Sequence, residues 1–265
     1  LKKVKMRLDL LLVDQGYAVS LEQAQRSIRA GWVFVDDRRV DKPGREVPVD
    51  AVIRVKEKPR YVGRGGEKLK GALDAFGLEV AGKVILDIGA STGGFTDCVL
   101  QAGARRVYSL DVGKGQLAWK LRQDPRVIVK EGMNARYLTG DDLPETPDII
   151  TVDVSFISLT KILPACGNLL KTNGLILALI KPQFEAGRNE VKRGGLVRDS
   201  EVHRRVIEEI KDFSARIGLR AEGISQSVLI GPAGNKEFFV LFNKVTTPDK
   251  PRLRPRGGDG VNFGS

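Results

Sequence analysis

The sequence predicts an α/β protein, with a doubly wound, seven-stranded, mostly parallel sheet preceded by a small α+β unit. Three observations predict it. From Gly82 onward, apolar runs alternate with helical patterns, as strand, crossover and parallel strand do. One of these runs, Val84–Ile88, ends in the glycine-rich turn Gly89–Gly94, and such turns lie at the ligand-binding carboxyl edge of open sheets. The first 60 residues carry a pattern of their own, with two helices and a small sheet that make a marginal core by themselves.

In the leading segment, Leu8, Leu11 and Leu12 mark one face of a helix that Gly16 ends. Ser20 with Gln23 reads as a capping box for a second helix. In it Ala24, Ile28 and the aliphatic stem of Arg29 recur near helical spacing, and Gly31 stops it. Trp32–Val35 reads as a strand, Asp36–Arg38 as a turn and Val52–Val55 as a last strand. Pro59 and the glycines at 63, 65 and 66 break regular structure. A helix is predicted from Glu67 to Phe76. Strands are then expected at 84–88, 106–110, 127–130, 148–152, 174–180, 221–229 and 236–243. Helical segments fall at 95–103, 158–171 and 199–217. The turn-rich stretch Ile230–Asn235 joins the last two strands as a hairpin, which places one antiparallel strand in the sheet. The tail from Val245 is rich in Pro, Gly and Arg and is expected to be disordered. The resulting division is 1–58, a linker 59–66, 67–244 and a basic tail 245–265.

Composition narrows the partners. The 265-residue chain is 42% apolar with a formal net charge of +11. Residues 1–60 hold 14 Lys/Arg against 9 Asp/Glu and residues 244–265 hold 5 against 2, so the excess sits mostly at the two ends. That favours a polyanionic partner. Cys98 and Cys166 lack metal-type spacing and are expected to be buried free thiols, as in a reducing cytosol, and no metal is expected. No apolar run reaches about 18 residues, so no membrane span is expected. Asp9 and Asp14 interrupt any signal-peptide core, and a cytoplasmic location is the expectation. His203, among Glu201, Arg204 and Arg205, reads as solvent-facing and is given no catalytic role. Oligomeric state is left open.

The glycine turn specifies a ligand class. In a dinucleotide fingerprint the second glycine admits a pyrophosphate; here Ser91 holds that position between Gly89 and Gly94. Asp111 closes the next apolar run, about 20 residues on, where a carboxylate meets ribose hydroxyls. Together these features point to S-adenosylmethionine. Gly89, Ala90, Ser91, Thr92, Gly93, Gly94 and Phe95 are expected around its methionine moiety and Asp111 at its ribose. Asn134 would read the adenine edge, or serve only as a loop residue, with Met133 packed on the ring.

Residues 6–56 resemble the S4-like RNA-binding domain. The resemblance rests on Arg7-Leu8-Asp9, Ala24-x-x-x-Ile28-x-x-Gly31-x-Val33-x-Val35-Asp36 and Val40-x-x-Pro43. It implies Arg7, Arg26, Arg29 and Arg38 as RNA contacts, although each also reads as a solvated charge. Arg64 lies in the basic linker, whose charge is expected to touch RNA as well as join the domains.

Four polar residues stand at strand or helix ends. Lys68 follows Gly65-Gly66, Asp153 follows Ile149–Val152, Lys181 follows Leu175–Ile180, and Glu237 opens the last strand. Singly they read as a helix residue, an N-cap, a strand-end charge and an edge residue. Together they resemble the Lys-Asp-Lys-Glu tetrad of FtsJ-type ribose 2′-O-methyltransferases. With the S4-like domain in front, residues 6–244 resemble the TlyA, or hemolysin A, family. Its further segments are Gly63–Leu69, Asp87–Asp97, Asp153–Leu159, Ile180–Glu185 and Gly231–Glu237. The resemblance implies a class I S-adenosylmethionine-dependent fold and methylation of a ribose 2′-hydroxyl in ribosomal RNA, with cytidine as the target in relatives.

A ribose hydroxyl is a poor nucleophile at neutral pH, and free lysine titrates at about 10.4, so a base lysine needs burial or a second cation nearby. Lys181 is the candidate base and Lys68 the neighbouring cation. Asp153 would steer the lysines, and Glu237 would hold Lys68 or the ribose. The basic stretch Arg188–Gly195 either closes over RNA or is a plain exposed loop. A non-catalytic RNA-binding protein, a membrane-lytic protein and a small-molecule methyltransferase are the rival readings. The intact tetrad, the lack of an amphipathic basic helix and the S4-like segment respectively weigh against them.

Overall fold

The computed structural model describes residues 4–56 and 59–245. The chain divides into two compact units between Arg60 and Tyr61. Except for Val245, the expected basic tail lies outside the described residues.

The first unit begins with β1 (Lys5–Arg7), α1 (Leu8–Asp14), α2 (Leu21–Arg29), β2 (Val33–Val35) and β3 (Arg38–Arg39). It ends with β4 (Glu46–Pro48) and β5 (Ile53–Val55). Strand β1 pairs antiparallel with β4, and β2 lies between β3 and β5. Leu8, Leu11, Leu12, Ala24, Ile28, Val33 and Val47 form the core. The unpredicted strands β1, β3 and β4 have two or three residues each, too few to show a period. Ser20 caps α2 through the Gln23 amide, but the Gln23 side chain takes the amide of Val19 instead of that of Ser20. Arg29 is exposed, so its stem is not part of the buried face.

The second unit holds α3 (Gly65–Phe76), β6 (Val84–Ile88), α4 (Gly94–Gln101), β7 (Arg106–Asp111), α5 (Trp119–Arg122), β8 (Val127–Glu131) and β9 (Ile149–Val152). It continues through α6 (Leu163–Leu169), β10 (Leu175–Ile180), α7 (Pro182–Glu185), α8 (Ser200–Arg216), β11 (Leu219–Gln226) and β12 (Phe238–Lys244). The sheet order is β11-β12-β10-β9-β6-β7-β8, with β12 antiparallel to both of its neighbours. This is the predicted seven-stranded, mostly parallel sheet.

Strand alternation splits the core into two layers. Leu86, Ile88, Val152, Ile180 and Phe242 pack with residues of α6 and α8. Ile85, Val107, Leu179 and Phe239 pack with residues of α3 and α4 on the other face. Helix α3 starts two residues before Glu67. Strand β11 occupies 219–226 instead of 221–229, because Gly218 (φ 79°) ends α8 and turns the chain at once into buried Leu219. At the far end the Ser227 amide donates to the Glu237 carbonyl, so residues 227–237 form a closed loop and β12 starts at Phe238.

His203 is a correction. It is 6% exposed, with Nε2 3.0 Å from the Val197 carbonyl and its ring against Phe238. His203, Val206, Ile210 and Ser214 recur on one face of α8, and that spacing outweighs the charged neighbours in sequence. Both cysteines are free and buried, and burial pushes the Cys166 thiol up to about 12.

Candidate active site

The carboxyl ends of β6, β7 and β9 and the glycine turn enclose two adjoining cavities. The larger, about 570 Å³, has apolar walls from Ile88, Leu110, Ile157 and Ile162 and polar groups from Asp111 and Asn134. The smaller, about 130 Å³, lies between Gly63–Gly65 and Ala90–Phe95. Gly89, Ser91 and Asp153 border both.

Gly89 is required twice over. Its φ is +84°, and a Cβ there would lie 2.3 Å from the Asp153 carbonyl oxygen. The Gly89 and Ala90 amides donate to the Leu110 carbonyl, tying the turn to β7. Asp111 fixes the same turn, since its Oδ2 accepts from the Ser91 amide and its Oδ1 from the Gly113 amide, each at 2.7 Å. Asn134 borders the larger cavity while its side chain caps a short turn through the Arg136 amide. Ala90, Thr92, Gly94 and Phe95 line the smaller cavity. Gly93 and Met133 do not border these cavities. Gly93 sits against Leu117 and Leu121, and half-buried Met133 packs on the core.

Lys68 of α3 and the strand-end residues Asp153, Lys181 and Glu237 come together at one edge of the sheet. Lys68 is 7% exposed, and its Nζ lies 2.6 Å from Oε2 of fully buried Glu237. Lys181 is 8% exposed, with Nζ 2.6 Å from Asp153 Oδ1. It also donates to Ser155 Oγ at 3.0 Å. Register explains the convergence. Ile180 pairs with Phe238, so Lys181 and Glu237 leave adjacent strands at the same level, and β9 delivers Asp153 beside them. The two lysines are each held by a separate carboxylate. Glu237 Oε1 is buried without a hydrogen-bond partner among the described residues.

Beneath this edge Asp87 is fully buried within β6 and accepts from Thr96 Oγ1 (2.7 Å) and Thr151 Oγ1 (2.9 Å). Burial, aided by the Asp153 charge, outweighs both hydroxyl bonds and pushes its carboxyl up to about 6. Sequence reasoning gave Asp87 no role, although an acid inside an otherwise apolar strand run is itself a signal, because such a group needs buried partners. Asp97 was missed too. It takes the Val62 amide and pairs with Lys120, anchoring the segment ahead of α3 to α4. Ser155 and the 91%-exposed Phe156, whose ring lies 5.0 Å from that of Phe184, are further unpredicted residues at this edge.

The predicted RNA contacts divide by environment. Arg7 is ion-paired with buried Asp9. Arg26, Arg29 and Arg38 are exposed without an acidic partner among the described residues. In the second unit, Arg64 donates to the Ile230 carbonyl at 3.1 Å, linking the start of α3 to the loop before β12.

Residues 61–244 match the FtsJ-like methyltransferase family and residues 6–53 the S4 domain. The chain belongs to the TlyA, or hemolysin A, family of FtsJ-like methyltransferases. Among its relatives, the Bacillus subtilis (strain 168) protein YqxC, provisionally named an rRNA methyltransferase, is 50% identical over 238 residues, covering 89% of this chain and 85% of that protein. The 16S/23S rRNA (cytidine-2′-O)-methyltransferase TlyA of Mycobacterium tuberculosis (strain ATCC 25618 / H37Rv) is 43% identical over 244 residues, 91% of either protein. A solved structure from Streptococcus thermophilus, provisionally named a hemolysin, is 44% identical with a TM-score of 0.72, covering 94% of this chain and 92% of that one. No helix among the described residues is long and apolar enough to cross a membrane.

Proposed function

We propose that the protein methylates a ribose 2′-hydroxyl of ribosomal RNA, a cytidine as in the mycobacterial relative, with S-adenosylmethionine as donor. The observation that carries this reading is the pair of nearly buried lysine–carboxylate contacts, Lys181–Asp153 and Lys68–Glu237, at the edge where the glycine-turn cavities open. The S4 domain and the relatives' names support RNA as the substrate.

The residues present suit the cofactor. The larger cavity offers apolar walls for a flat base and the Asp111 carboxylate for ribose hydroxyls, and the smaller offers close backbone approach at Gly89 and Gly94. When bound, S-adenosylmethionine supplies a methyl group on a positively charged sulfur, which departs with the bonding pair as a neutral thioether. The chain's own residues do the rest. Unprotonated Lys181 Nζ takes the 2′-hydroxyl proton as the oxygen forms its bond to carbon. Asp153 and Ser155 fix the position of that nitrogen. The Lys68 ammonium, held by Glu237, offsets negative charge developing on the oxygen. Alignment supplies much of the remaining acceleration.

The test uses purified protein, labelled cofactor and ribosomal subunits lacking ribose methylation, with 2′-O-methyl groups mapped afterwards. Label on one discrete ribose is expected. Cofactor binding without label on either subunit would overturn the reading. Asp111→Ala is expected to weaken cofactor binding by about 10- to 100-fold, the size of hydrogen bonds to a charged group. Calorimetric titration checks this, and an unchanged affinity would remove Asp111 from the cofactor site.

A further inference from the structure

The segment after α7 is built as a cationic strap. Lys192 and Leu196 form an antiparallel bridge, and the Gly195 amide donates to the Lys192 carbonyl, with Gly194 and Gly195 at positive φ. Its base is clamped to the loop before Glu237. Asn235, 1% exposed, donates from Nδ2 to the Gly195 carbonyl at 2.7 Å and accepts the Val197 amide on Oδ1 at 2.9 Å. The Val197 side chain is buried, and its carbonyl meets His203 Nε2. The Asn235 carbonyl in turn takes the Gly231 amide, so strap and active-site loop are one bonded unit.

The charges on this strap are unbalanced. The only acid within 187–198, Glu190, is taken up by Arg205 and the Gly187 amide. Arg188, Lys192, Arg193 and Arg198 are exposed and have no acidic partner among the described residues. Elsewhere in the unit Arg105, Arg122, Arg126 and Lys171 each face a carboxylate. Exposed Lys236, between Asn235 and Glu237, extends the cationic strap to the candidate catalytic edge.

We infer that residues 192–198 form a second RNA-contact surface, which holds the phosphate backbone beside the target ribose and is kept in register with Glu237 by Asn235 and His203. This surface rests on the RNA-methylating activity proposed above. It is positioned from inside by Asn235 and His203 and presents lysine and arginine outward, the division of labour that phosphate tracking needs.

The test compares wild type, a K192A/R193A/R198A variant and Lys83→Gln. Lys83 immediately precedes β6, at the opposite edge of the sheet. Affinity for subunits lacking ribose methylation is measured between about 50 and 200 mM salt, because each phosphate contact adds its share of salt dependence. Cofactor affinity and methylation are measured on the same samples. The triple variant is expected to lose about tenfold or more in RNA affinity, with a log-log salt slope shallower by about 2 to 3 and cofactor affinity kept. Lys83→Gln should match wild type. Asn235→Ala removes no charge and is expected to weaken RNA binding while keeping most of the slope. Wild-type affinity and slope in the triple variant, or an equal loss in Lys83→Gln, would overturn the surface while the activity stood. No methylation by wild type would overturn the activity itself.

Discussion

Lys181→Ala is expected to slow methyl transfer by roughly 10²- to 10⁴-fold, the usual contribution of a positioned general base. Cofactor affinity should be unchanged, because Lys181 is not among the residues bordering the two cavities. The informative companion is Lys181→Arg. A guanidinium keeps a cation facing Asp153 and Ser155 but does not give up its proton near neutral pH. If Lys181 serves as the proton acceptor, the arginine variant is as slow as the alanine variant. Single-turnover rates with labelled cofactor and saturating RNA separate the cases. A fast Lys181→Arg enzyme would make the role that of a fixed positive charge and remove the base from the mechanism.

Asp87→Asn is expected to change how stability depends on pH. The Asp87 carboxyl is raised from 3.8 to about 6 by burial, so the folded protein favours its protonated form. A raised acid contributes stability that is complete below 3.8 and is lost as pH rises through about 6. Across that window wild type should lose about 3 kcal/mol that the variant does not, with about 2 kcal/mol of it falling between pH 4.5 and 7.5. Asn can preserve the network by keeping its carbonyl toward Thr96 and turning its amide toward Thr151, whose hydroxyl then accepts. Urea unfolding of both proteins at several pH values measures the difference. A gap between the two that does not vary with pH would show that Asp87 carries no such penalty.

Asp87 also marks where sequence reading stops. The strand Val84–Ile88 and its turn were legible because apolar runs and glycines impose local constraints. The need for glycine at residue 89 is visible in sequence, but the obstacle, the Asp153 carbonyl, comes from a strand about 60 residues away. Whether Asp87 could be accommodated depended on Thr96 and Thr151 converging on it from α4 and β9. His203 shows the same limit in reverse. Its spacing with Val206 and Ile210 matched a buried face, yet its charged neighbours dominated the local reading, and the acceptor that stabilises it, the Val197 carbonyl, lies on the strap.

The sequence by itself determined the alternation of strands and helices, the glycine turn, the likeness to the S4 domain and which four polar residues stand at element ends. These follow from short-range backbone preference and residue chemistry, which need no partner from elsewhere in the chain. Only the tertiary structure decided that Lys181 faces Asp153 while Lys68 faces Glu237, and that Asn235 ties a basic loop to the active-site edge. The physical reason is the insertion of β12 antiparallel between β10 and β11. That pairing brings Glu237 and Asn235 to the edge where the parallel β9–β10 pairing already sets Asp153 beside Lys181, and strand register specifies both.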